Sequence, residues 1–166
     1  MCIRDSRYTW RLHSEKYAQK KGEDHFEILN GRGGLSIFTA FPEKRKTSVS
    51  ETLIEEMMTP QRPDDLRKIS LKTLKIENSK KSKNTYFLNI LQPKDALTQA
   101  ETNSISVKRI EGENCIGVEI IAKETTEIFL FSNVNKIDFG EIQSTAKWIS
   151  VVSDKNGKEL KLNSFY

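Results

Sequence analysis

The chain has 166 residues, with 27 Lys+Arg against 23 Asp+Glu for a formal charge of +4 and a pI near 9.0. That length is one of an ordinary domain able to bury roughly 70% of the surface its unfolded chain exposes, and 36% hydrophobic residues in patterned runs set it apart from a disordered chain. Composition excludes several classes: no apolar stretch approaches the ~18 residues of a helical membrane span, the two cysteines Cys2 and Cys115 build neither a disulfide scaffold nor a zinc finger, and few Ala among many Ile, Thr, Ser and Asn argue against a long helical bundle.

The first six residues, Met1 to Ser6, lack the apolar core of ~7–15 residues that a signal peptide needs. They resemble a translated adapter scar, so 1–6 is expected to be an artefactual leader and 7–166 one domain cut from a longer chain. From Arg7 the pattern is strands and turns. Tyr8, Trp10 and Leu12 alternate with Thr9, Arg11 and His13, the period of a half-buried strand. A polar loop covers 14–24. Residues 25–30 and 35–41 form two strands joined by Gly31-Arg32-Gly33-Gly34, with Pro42 closing the second. Residues 48–58 are ambiguous, a short helix or an edge strand. In 66–77 the apolar residues change parity between Ile69/Leu71 and Leu74/Ile76, which is how a β-bulge reads in sequence. Residues 85–91 are apolar on both parities and are expected to be a central strand ended by Pro93. Short strands follow at 104–110, 115–122, 127–132, 136–139, 146–153 and 159–162. Ile128 to Phe131 read as central, and Asp154-Lys155-Asn156-Gly157 reads as a hairpin turn. No linker or internal repeat divides the chain. The expected fold is all-β, an antiparallel β-sandwich of about ten short strands with little helix.

No constellation of residues carries chemistry. His13 and His25 are on different expected strands with no cysteine partner, and they read as ordinary strand histidines rather than metal ligands. The glycine-rich turn joins two strands and lacks a following Lys-Ser/Thr, so it is a hairpin and not a phosphate loop. Glu55-Glu56 and Asp64-Asp65 are adjacent, and neighbours on a strand point apart, which suits no acid–base couple. Tyr8-Thr9-Trp10-Arg11 is the one segment interleaving aromatic and basic residues, too little for a nucleic-acid face. Lys44-Arg45-Lys46, Lys80-Lys81 and Lys83 read as solvated turns, and Cys115 as a small core residue. The sequence therefore assigns no catalytic residue, no cofactor-binding residue and no metal ligand, and expects neither a nucleic-acid partner nor a membrane span.

One wider pattern carries more. Arg7 to Ser14 resembles the Trp-x-Leu-His-Ser/Thr strand in the β-domain of heparinase II/III-like polysaccharide lyases. Segments similar to others of that family follow in order: Gly34-Leu35-Ser36-Ile37 leading to Pro42, then Phe87-Leu88-Asn89-Ile90-Leu91-Gln92-Pro93, then Gly117-Val118-Glu119-Ile120, then Leu130-Phe131-Ser132. The resemblance spans nearly all of 7–166 through short motifs of structural character.

It implies an α/α toroid followed by a large antiparallel β-supersandwich, of which this chain would be the non-catalytic C-terminal portion. Such proteins cleave acidic, uronate-containing polysaccharides (glycosaminoglycans, alginate and their kin) by β-elimination, with Tyr and His side chains moving the protons. The family's His/Asp/His zinc set and catalytic His belong to His-Ala-Asp-like and His-Asn-Thr-like motifs ahead of the Trp-x-Leu-His-Ser strand. Neither motif occurs in this sequence, so no residue and no zinc is carried over, and the chain alone is expected to be inactive with unpaired strand edges. The implied partners are the toroid domain of the same parent chain and an anionic polysaccharide, and the implied location is secreted or periplasmic. The alternative is a stand-alone carbohydrate-binding or adhesion-type β-sandwich, which would present aromatic rings to solvent. The exposure of Trp10, Tyr86 and Trp148 separates the two readings. A purely structural domain of a larger surface protein is the third possibility.

Overall fold

A computed structural model describes residues 8–31, 33–57, 66–80, 85–95 and 105–165. The leader 1–6 with Cys2, and Arg32, Asp64, Asp65, Lys81 and Lys83, lie outside the described residues, as do the side chains of Glu55 and Glu56. Among the described residues every regular element is a strand, fourteen in all, and every strand pairing is antiparallel. The all-β antiparallel expectation is met, with more strands than the ten foreseen. The chain falls into two compact units, 1–97 and 98–166.

The first unit holds β1 (Thr9–Ser14), β2 (Gln19–Lys20), β3 (His25–Asn30), β4 (Gly33–Phe41), β5 (Arg45–Met57), β6 (Leu66–Asn78) and β7 (Leu88–Asp95). They form a sheet ordered β1-β6-β5 and a second ordered β2-β3-β4-β7. Register sets the inner faces. Trp10 pairs with Ile76 and Leu12 with Leu74 on the first sheet, and Phe26 pairs with Ile37 and Ile28 with Leu35 on the second. Phe26, Ile28, Ile37, Leu74 and Ile76 make one buried cluster, against which Trp10, Leu12, Leu35 and Phe87 pack. The cluster draws on both sheets, so this unit is a sandwich with an apolar seam between its layers.

Three expectations meet a more specific outcome here. The ambiguous stretch 48–58 falls largely in β5, the edge strand of its sheet, and Met58 lies outside the described residues. The parity change in β6 is not a bulge, because β5 and β6 stay in register from Met57–Leu66 to Arg45–Asn78. Leu74 and Ile76 point into the seam, whereas Ile69 and Leu71 sit half-buried on the opposite face. The core-side positions beyond Leu74 are Lys72 and Ser70, so the apolar residues change face where that side turns polar. The third difference concerns residues 85–91. They contribute to β7, an edge strand and not a central one, and Pro93 lies within it, where an edge tolerates the missing donor. The run looked doubly buried because Phe87, just before the strand, enters the core, while Leu91 at the edge is 47% exposed.

The second unit holds β8 (Ser106–Glu111), β9 (Ile116–Ile121), β10 (Thr125–Phe131), β11 (Ile137–Phe139), β12 (Ile142–Ser144), β13 (Trp148–Asp154) and β14 (Glu159–Phe165). Five strands make a sheet ordered β14-β13-β10-β9-β8, with β10 in the middle as its apolar run foretold. The small hairpin β11–β12 covers one face, so that Leu130 and Ile149 of the sheet cluster with Ile137 and the buried Cys115, and Phe139 and Ile142 pack against them. Gly117 has no room for a side chain: a Cβ would overlap the carbonyl oxygen of Phe129 on the adjoining strand. The β13–β14 turn is built as expected. Gly157 takes φ +82°, and Asp154 Oδ1 accepts from the backbone N–H of Asn156 (2.8 Å) and Lys158 (2.9 Å).

Candidate functional site

Both histidines lie in the first unit, on different sheets. His13 is exposed on β1, its Nδ1 2.9 Å from Thr73 Oγ1 on β6. His25 is half-buried on β3, stacked on Phe38 with ring centroids 4.3 Å apart and planes 11° off parallel. Its Nε2 lies 3.3 Å from Ser36 Oγ, and Ser36 Oγ donates to Glu27 Oε1 at 3.4 Å. A Ser, a His and a Glu thus meet on the outer face of the four-stranded sheet, a grouping that sequence spacing did not reveal.

Its chemistry is that of a structural network. Ser36 is 0% exposed, so no substrate reaches its hydroxyl. Glu27 is held by Lys94 and by Lys21 at 3.5 Å, and the Lys94 hydrogen bond chiefly keeps its carboxyl below the usual range. Burial pushes the His25 pKa down despite the nearby carboxylate. A buried hydroxyl directed at a carboxylate, rather than at the imidazole that would take its proton, is the reverse of an activated nucleophile.

A second polar cluster ties the loop after β1 to the β5–β6 hairpin. Glu51 accepts from Tyr17 and Ser70 and pairs with Lys72 at 2.6 Å, and the Lys72 ammonium also sits 5.1 Å from the Tyr17 ring centroid. These donors, Lys72 first, hold the Glu51 carboxyl at about 2, while the bond to Glu51 raises the Tyr17 hydroxyl. A carboxylate so firmly ionised takes no part in proton transfer at neutral pH. Among the described residues no group of three or more His, Cys, Asp or Glu side chains is placed to hold a metal ion.

The three indicator rings fall differently. Trp10 packs into the core of the first unit, and Tyr86 is exposed, with no ring stacked on it among the described residues. Trp148, half-buried, stands in a row. On the face of the five-stranded sheet opposite the β11–β12 hairpin, Phe131, Trp148 and Phe165 are register partners on the neighbouring strands β10, β13 and β14. Trp148 and Phe165 have centroids 6.3 Å apart and planes only 15° off parallel. Phe131 and Phe165 are 39% and 57% exposed, so with Trp148 they set apolar rings side by side at the surface. The next positions along the same face are mixed: Phe129 and the buried Val118 continue it on β10 and β9, the buried Ser150 donates to Glu127 at 2.9 Å, and Asn163 then Lys161 follow Phe165 down β14.

Charge divides unevenly between the units. Residues 1–97 carry 19 Lys/Arg against 13 Asp/Glu, a net +6, whereas 98–166 carry 8 against 10, a net −2. No protein-family model matches the chain, and a search of curated proteins finds no match either.

Proposed function

We propose that this chain is the non-catalytic β portion of a polysaccharide lyase that cleaves uronate-containing polysaccharides by β-elimination, supporting a helical toroid domain that carries the reacting groups. The carrying observation is the ordered set of five lyase-like segments, which fall on five separate strands, β1, β4, β7, β9 and β10. Their apolar members build cores: Trp10, Leu12, Leu35 and Ile37 in the first unit, Leu130 in the second. A module of that kind acts as a rigid support and lends a wall to a substrate cleft. A secreted or periplasmic protein fits this reading, since that is where extracellular polysaccharides are met.

The test is to read the parent gene upstream of Arg7. The reading expects several hundred codons of helical sequence that end in the His-Ala-Asp-like and His-Asn-Thr-like motifs. It further expects the full parent to release an unsaturated, ultraviolet-absorbing product from a uronate polymer. A start codon and signal peptide shortly before Arg7 would refute it. The second reading, a stand-alone carbohydrate-binding module, is favoured by the aromatic row of Phe131, Trp148 and Phe165.

A further inference from the structure

We infer that the face of β14 along Phe165, Asn163 and Lys161, with Trp148 and Phe131 beside it, is a binding subsite for an acidic glycan. The inference rests on the polysaccharide reading above and adds the surface that meets the chain. Successive residues on one face of a strand lie about 7 Å apart, so β14 presents an aromatic ring, a side-chain amide and an ammonium group at regular steps. Each step answers one feature of a uronic acid polymer. The negative face of an aromatic ring attracts the positively polarised C–H face of a sugar ring. An amide both donates to and accepts from hydroxyls, and the ammonium pairs with a carboxylate.

The strand is the edge of its sheet, so a ligand approaches it from the side as well as from above. Lys161 and Phe165 are exposed and Asn163 is partly so, and no partner to the Asn163 or Lys161 side chain occurs among the described residues. The net −2 of residues 98–166 matters here. A diffuse attraction for polyanions belongs to the +6 half of the chain, so recognition at β14 has to come from local contacts, of which the exposed Lys161 pair weakens with salt and the ring and amide contacts do not.

The experiment measures retardation of the full chain in native gels containing sodium alginate or, separately, neutral dextran, at two salt concentrations. Phe165→Ala is expected to weaken alginate binding about fivefold to tenfold, the scale of one lost aromatic stack. Lys161→Gln should weaken alginate binding and reduce its margin over dextran, and at the higher salt concentration, where diffuse attraction is screened, the double variant Arg11→Gln/Lys46→Gln should bind as the parent does. Thermal midpoints of the variants establish that all are folded.

Unchanged binding by Phe165→Ala, or a loss that follows Arg11 and Lys46 instead, would overturn this site and leave the polysaccharide reading standing. Failure of the chain to bind either polymer would also overturn it, while the lyase reading is judged separately by the upstream sequence and the unsaturated product. Binding through Phe165 without a lyase parent would keep the site and remove the lyase.

Discussion

Replacing Gly117 by alanine tests the closest backbone approach in the second unit. The added methyl would overlap the Phe129 carbonyl oxygen, stand 2.9 Å from the carbonyl carbon and lie 3.0 Å from Leu130 Cδ2. Carbon atoms rest ~3.5–4.0 Å apart, so β9 and β10 have to separate by more than about half an ångström at this point. Relief by rotating a side chain is ruled out, because the obstacle is backbone and β10 is clamped between β9 and β13. Overpacking of this kind costs about 3 kcal/mol or somewhat more. A midpoint falls by ~2–4 °C per kcal/mol for a chain of this length, which predicts a loss of roughly 6–12 °C. The assay is thermal unfolding of the full chain followed by circular dichroism. Gly33→Ala serves as the control, since a Cβ there has only the Asn30 carbonyl oxygen near it, at 3.9 Å. A Gly117→Ala protein melting within a degree or two of the parent would refute the close approach.

Ile37→Ala, at a fully buried position in the sandwich seam, should cost about 2–5 kcal/mol, and Leu91→Ala, its register partner on the edge strand, under about 1 kcal/mol; urea titration of both variants checks the contrast. Glu51 ionises at about 2 when folded against 4.5 for the ordinary group, so it stabilises the fold above pH 4.5 and that contribution fades as pH falls towards 2. Glu51→Gln should therefore flatten the acid side of the stability profile, and an unchanged slope between those pH values would contradict the cluster. His25 has the opposite kind of shift: its folded pKa lies below 6.5, so the unfolded chain binds the extra proton first and stability declines as pH drops through 6.5. His25→Phe should remove that part of the decline, read as the urea midpoint at pH 7.5 and at pH 5.5.

Much of the fold was legible because a half-buried strand writes its faces into alternate residues. Trp10 and Leu12 on β1, the hairpin at Gly31, the central place of β10 and the turn at Asn156-Gly157 all follow from local pattern and turn chemistry. The β7 expectation failed on a non-local fact: the number of strands beside a segment leaves no mark on its own residues. The candidate surface was harder still. Counting back from the Asn156-Gly157 turn without interruption would set Trp148 against Ser164 and turn Phe165 to the other face. A register shift between Val152 and Ser153 instead pairs Trp148 with Phe165. Phe131 joins the row across a connection that contains its own hairpin, β11–β12, so its register with Trp148 is a product of packing.

The sequence by itself determined that this is an antiparallel all-β chain, where most of its strands run and where the turns at Gly31 and Gly157 fall, since each depends on periodicity and backbone preference within a few residues, whereas the strands β2, β5 and β12 were not read from it. Tertiary structure decided which strands are edges, which side chains share a face, and that three rings, an amide and a lysine share one face of the five-stranded sheet. Those are relations between segments far apart in the chain, and register, which a single extra residue resets, carries them.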